Sequence, residues 1–141
     1  MISQVSAFLE NKPGRLEMVL QILSDNEINL RSISVAETTD YGIFRLILDR
    51  PKEAVEKLKA ANFVVKETDV LAIEIDDTKG ALLYSIKELA ENDISIEYTY
   101  TCLPIDNEKV VIILRVDEME RAQKILESSK NCRLLAPEDM Q

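Results

Sequence analysis

The 141-residue chain repeats itself. Placing Gly14 on Gly80, an offset of 66, brings Leu16 onto Leu82, Leu20 onto Ile86 and Leu23 onto Leu89. Asn26 then meets Asn92, Ile28 meets Ile94 and Leu30 meets Ile96. Upstream, Val5, Ala7 and Leu9 fall on Leu71, Ile73 and Ile75. Further on the offset becomes 68, with Ala54 on Ala122 and Leu58 on Leu126, so two residues were gained, with the loop "LPIDNEKV" as the expected place. Matches that run without gaps through loop, helix and strand are the mark of an internal duplication. Whatever one half folds into, the other must fold into as well.

Each half carries the same order of patterns. "ISQVSAFLE" alternates and reads as a strand. A helix follows from about Gly14 to Asn26, with Leu16, Val19, Leu20 and Leu23 spaced by three and four along one face. "INLRSISVAE" and "IFRLILD" are strands separated by the turn "TTDYG". Pro51 opens a second helix, as proline does at a first helical position, and Ala54, Val55, Leu58 and Ala61 form its apolar face. "FVVKE" is a short fourth strand. The second half supplies "VLAIEI", a helix from about Gly80, "ISIEYTYTCL", "VVIILRV", a helix holding Ala122, Ile125 and Leu126, and "CRLLA". The order β-α-β-β-α-β with right-handed crossovers predicts an α+β fold of two ferredoxin-like units. Each is expected to be a four-stranded antiparallel sheet with both helices on one face and strands 1 and 3 in the centre. The units are expected to cover residues 1–68 and 69–141, joined by "TDVL" and packed side by side, because about 70 residues supply only a marginal core.

Composition removes several functions. The net charge of −9 argues against nucleic acid and against anionic membranes. No apolar run approaches the length of a membrane span, and "MISQVSAFLE" lacks the basic segment and apolar stretch of a signal peptide. Cys102 and Cys132 stand alone, without metal-site or redox spacing, and two free thiols fit a reducing cytoplasm. The chain has no histidine, which removes the commonest general base and metal ligand. No catalytic residue, metal site or cofactor is expected.

The stretch "LENKPGRLEMVLQILSDNEINLRSISV" resembles the ACT domain family, whose pattern is a strand, Asn-x-Pro-Gly-x-Leu, a helix and an "I-N-I"-like strand. Asn11, Pro13, Gly14, Leu16, Ile28, Asn29 and Leu30 match that pattern. The resemblance covers essentially the whole chain as a tandem pair, and implies a stand-alone amino-acid-binding regulator without a catalytic domain. It also implies that "NKPG" forms the loop between strand 1 and helix 1, with a small ligand seated there.

Elementary chemistry agrees with that placement. The first N–H groups of a helix lack internal partners and carry partial positive charge, so a carboxylate is favoured there. Gly14 leaves room for close approach, Pro13 stiffens the turn, and Asn11 offers an amide. Lys12 and Arg15 add local positive charge in an acidic protein, and Asn29 either touches the ligand or fixes its own turn. Read alone, the tetrapeptide also fits an ordinary turn with Lys12 and Arg15 as solvated surface. On strand 2, Leu30, Ser32 and Ser34 are expected on one face and leave space, while the aligned Ile96, Tyr98 and Tyr100 wall it. Two tyrosines suit an aromatic, imidazole or cationic ligand side chain; ordinary strand packing is the other reading of them. In the second half "ENKPG" becomes "DDTKG". Asp76 and Asp77 are expected to cap the helix from within and to repel an incoming carboxylate, so binding is expected in the first half only.

The leading function is therefore a non-enzymatic protein that binds a free amino acid and thereby changes how it associates with itself or with a metabolic enzyme; the family resemblance implies a homodimer. A ligand-free module that docks on such an enzyme is the alternative. A small enzyme using carboxylates or lysine comes third.

Overall fold

The computed structural model describes residues 1–38 and 40–141; Thr39, within the expected turn "TTDYG", lies outside the described residues. The elements are β1 (Ile2–Glu10), α1 (Arg15–Asp25), β2 (Leu30–Glu37), β3 (Tyr41–Leu48), α2 (Pro51–Ala60), β4 (Val64–Asp76), α3 (Ala81–Glu91), β5 (Ile96–Cys102), β6 (Lys109–Val116), α4 (Met119–Glu127) and β7 (Arg133–Leu134), followed by a 3-10 turn at Pro137–Met140. Two compact units emerge, Ser3–Thr68 and Asp69–Gln141 with Met1–Ile2. They are called the first and second unit below.

In the first unit the strand order is β2-β3-β1-β4, so β1 and β3 are central. Both β1–β3 and β2–β3 are antiparallel. Ser3 Oγ donates to Glu67 Oε2 at 2.8 Å between β1 and β4. Alternate residues Val5, Ala7 and Leu9 of β1 point to one face and meet Val19 and Leu23 of α1 and Ala54 and Leu58 of α2. Both helices therefore cover the same face. Leu20, expected in the buried stripe, is exposed, and Ile22 packs on the core instead. Ala61 is exposed because it ends α2 as its C-cap.

The second unit repeats this plan in the order β5-β6-β4-β7, again antiparallel. Leu71, Ile73 and Ile75 meet Leu89, Ala122 and Leu126. The register pairs Ala36 with Ile43 and the aligned Cys102 with Val111, which puts the two extra residues in the β5–β6 connection. Two segments differ from expectation. "FVVKE" and "VLAIEI" belong to one strand, β4, because "KETDVL" holds no glycine or proline to break extended backbone. "CRLLA" contributes only the two-residue β7.

Both units carry the same irregularity early in their second strand. Leu30 pairs with Leu48 but Ser32 with Ile47, and Ile96 pairs with Val116 but Tyr98 with Arg115. One extra residue, Arg31 or Glu97, is bulged out. A bulge switches the face on which later side chains emerge. Leu30 therefore packs on the helix-side core, as does Phe44, the partner of Val35. Ser32 and Ser34 emerge on the reverse face. Leu30, Ser32 and Ser34 do not share one face, contrary to the simple alternation.

The helix ends are also duplicated. Glu27 and Asp93 take positive φ values of 55° and 58°, and Ile28 and Ile94 donate back to Leu23 and Leu89 at 2.9 and 3.0 Å. The guanidinium of Arg50 reaches the Asn26 carbonyl at 2.9 Å while pairing with Glu53 at 2.7 Å. In the second unit Arg121 reaches the Asn92 carbonyl and pairs with Glu118 at 2.7 Å. Arg50 aligns with Glu118 and Glu53 with Arg121, so the two charges have exchanged places while the carbonyl stays capped. A cation at a helix C-terminus satisfies acceptors that the helix leaves open. These side chains are about half exposed, so Arg50→Ala and Arg121→Ala are each expected to cost about 1 kcal/mol. Urea denaturation of the two variants checks this.

Candidate functional site

The β1–α1 connection folds on its own backbone. Lys12 N–H donates to the Glu10 carbonyl at 2.8 Å, Arg15 N–H to the Lys12 carbonyl at 3.4 Å, and Asn11 N–H to the Asp40 carbonyl at 3.0 Å. Gly14 is the N-cap of α1 at φ +86°. A Cβ at Gly14 would meet nothing within 4 Å, so the backbone conformation, not crowding, calls for glycine there. Gly80 has the same role before α3 at φ +84°. Neither helix has a side-chain cap at its N-terminus.

The charges of the loop are organised by Glu10, the last residue of β1. Its carboxylate meets Lys12 Nζ at 2.9 Å and Arg15 Nη2 at 3.7 Å. The hydrogen bond and charge of Lys12, then the charge of Arg15, hold the Glu10 carboxyl below its usual range, so it stays ionised at neutral pH. The two cations of "NKPGR" are therefore paired and not merely solvated.

These side chains rim a cleft of about 300 Å³. Asn11, Lys12, Arg15 and Leu16 form one wall together with Glu10; Val35, Glu37, Gly42 and Phe44, from the end of the β2–β3 hairpin, form the other. Pro13 and Gly14 line a more open hollow beside Glu17, Met18 and Gln21 of α1, which shares Lys12 and Arg15 with the cleft. Phe44 lies across Gly42: a Cβ there would stand 2.7 Å from Phe44 Cε2.

The remaining expected residues lie elsewhere. Asn29 sits at the opposite end of β2, where its N–H donates to Asp49 Oδ1 at 2.9 Å and its carbonyl accepts from Asp49 N–H at 3.2 Å. Ser95 and Asp117 repeat that double bond at 3.0 and 3.1 Å, so in both units an aspartate carboxylate clips this junction through the backbone of Asn29 or Ser95. Ser32 and Ser34 emerge on the sheet face opposite the cleft, because of the bulge at Arg31. Tyr98 and Tyr100 belong to the second unit, where their rings stack with centroids 6.4 Å apart and planes at 15°. Reading the sequence did not bring in Val35, Glu37, Gly42 and Phe44. A signal was present in Gly42, the one glycine of three that meets no glycine in the other half.

The equivalent loop of the second unit is built differently. Cross-strand register places Glu10 opposite Tyr41 and Asp76 opposite Lys109. Lys109 Nζ donates to Asp76 Oδ1, and that bond holds the lysine's pKa above its usual value. Asp76 is thus used by the neighbouring strand and does not cap α3, contrary to expectation. Asp77 donates its backbone N–H to the Glu108 carbonyl at 3.4 Å. Lys12 and Arg15 have become Thr78 and Ala81, and Gly42 has become Val110.

No group of three or more Cys, Asp or Glu among the described residues could hold a metal ion. Burial pushes the Cys132 thiol up from its usual pKa, which disfavours the nucleophilic thiolate. No helix among the described residues is long and apolar enough to cross a membrane.

A family model described as an ACT domain pair matches residues 1–141, and the chain belongs to that family. Protein BT0572 from Bacteroides thetaiotaomicron is similar over 99% of this chain and 94% of its own, with 35% identity and a TM-score of 0.91. The ligand-free regulatory subunit of aspartate kinase from Thermus thermophilus shares the fold at 17% identity and a TM-score of 0.63, covering 89% of this chain and 90% of its own. The corresponding subunit from Thermus flavus does so at 17% identity and 0.60, covering 89% and 88%. No curated protein matches the chain significantly.

Proposed function

We propose that this protein is a non-enzymatic regulator that binds a free amino acid at the β1–α1 loop of its first unit. The observation that carries the reading is the cleft beside Asn11–Leu16, rimmed by both signs of charge, in a chain that is an ACT domain pair throughout. Lys12 and Arg15 suit a carboxylate; Glu10, Glu37 and the Asn11 amide suit an ammonium. An amino acid presents both groups on one carbon. Pro13 and Gly14 set the turn that brings these side chains together.

On this reading the protein works as a homodimer in the cytoplasm, and ligand changes how it associates with a metabolic enzyme. The regulatory aspartate kinase subunits offer a precedent for ACT pairs serving an enzyme, not evidence for the same partner. A thermal-shift screen against the amino acids is the test. A ligand at a hundred times its dissociation constant is expected to add about 2.7 kcal/mol of stability. If no amino acid raises the melting temperature at high millimolar concentration, the ligand-free docking module becomes the better account.

A further inference from the structure

We infer that the cleft selects an amino acid with an uncharged, apolar side chain, and that Gly42 and Phe44 form the floor on which this side chain rests. The inference deepens the amino-acid-binding reading and rests on it. Its evidence is the division of the cleft into two chemistries. The charged residues lining it are Glu10, Lys12 and Arg15 from the β1–α1 loop and Glu37 from the hairpin end. Its apolar side chains are Leu16 of α1 and the cross-strand pair Val35 and Phe44 of the hairpin. Charges that meet an α-ammonium and α-carboxylate therefore surround a surface that can desolvate only apolar atoms. A charged side chain laid against Leu16, Val35 and Phe44 would lose water without gaining a partner from those residues, which is costly.

Gly42 makes the floor possible. A Cβ at position 42 would stand 2.7 Å from the edge of the Phe44 ring, so any other residue there would push the ring out of its place. The volume, about 300 Å³, is at the small end of ligand pockets and suits a single amino acid. The second unit has lost this arrangement. Val110 stands in place of Gly42, Ile112 in place of Phe44 and Leu103 in place of Glu37. Of the aromatic, imidazole and cationic side chains that stacking on Tyr98 and Tyr100 would favour, this selection keeps only the aromatic.

The test is calorimetry of the full chain with L-leucine, L-phenylalanine, L-lysine and L-glutamate, paired with fluorine NMR. The chain contains three phenylalanines, Phe8, Phe44 and Phe63, so fluorophenylalanine labelling gives three signals, assigned with a Phe44→Leu variant. Leucine or phenylalanine is expected to bind at least tenfold more tightly than lysine or glutamate. The Phe44 signal is expected to move on saturation while those of Phe8 and Phe63 stay. Gly42→Val, checked for folding by circular dichroism, is expected to lower the affinity for the apolar ligand at least tenfold. A preference for lysine or glutamate, or a Phe44 signal that ligand leaves in place, would overturn the inference while amino-acid binding itself stands. Binding by none of the four, confirmed across the remaining amino acids, would overturn both.

Discussion

Arg15→Glu is expected to weaken amino-acid binding at least thirtyfold, and Ala81→Glu, its counterpart in the second unit, is expected to leave binding unchanged. Arg15 is the first residue of α1 and lines the cleft beside Glu10. A unit charge pair about 4 Å apart is worth about 1 kcal/mol in water and about 4 kcal/mol near a protein surface. Reversing one charge changes an attraction into a repulsion of similar size. Even the lower figure then amounts to about 2 kcal/mol, or roughly thirtyfold in affinity. Glutamate in the first turn of a helix is favoured by the helix dipole, so neither variant should lose its helix. Titration calorimetry separates the two outcomes. Equal loss from both substitutions would mean that the second loop also binds.

The second large effect concerns stability. Leu58 and its counterpart Leu126 are fully buried, one in each helix-side core. Leu58 packs among the residues of β1, α1 and β3, and Leu126 among those of β4, α3 and β6. Truncation to alanine removes the transfer free energy of the lost atoms and leaves a cavity that the neighbours fill only in part. Leu58→Ala and Leu126→Ala are each expected to cost about 2–5 kcal/mol. Urea denaturation should show a lower midpoint, with the slope unchanged if the transition stays two-state. By contrast Leu20→Ala, at an exposed position, is expected to change stability by less than about 0.5 kcal/mol. A cost below about 1 kcal/mol at Leu58 would contradict its place in the core.

The duplication and the two periodicities made the element order and the fold class legible before any coordinates. Val5, Ala7 and Leu9 alternate, and Val19 and Leu23 recur at helical spacing, because burial on one face imposes those periods. What escaped depends on the partner strand or on the path of a turn. The bulge at Arg31 exists only relative to β3, so nothing in "NLRSIS" announced that Ser32 and Ser34 would turn away from the face of Leu30. Strand β4 was read as two pieces joined by "TDVL", since a repeat invites a boundary even where no residue breaks the backbone.

The loop was legible in part. "NKPG" and the positive φ of its glycine go together, because few residues other than glycine tolerate that conformation. The use of Lys12 and Arg15 by Glu10 was not, since it requires the turn to fold the chain back on itself. Nor was the opposite wall: Val35, Glu37, Gly42 and Phe44 reach the cleft only because the β2–β3 hairpin returns beside β1. The two loops differ in structure, on another physical basis than the expected capping of α3 by Asp76 and Asp77. The difference rests on Thr78, Ala81 and Val110 in place of Lys12, Arg15 and Gly42, and on Asp76 being held by Lys109.

The most direct test of a single amino-acid site in the first unit is the stoichiometry of binding. Calorimetric titration of the intact chain, with the amino acid that raises its melting temperature most, should give one ligand per chain. Two equivalent sites per chain, or heat from no amino acid at all, would contradict the account.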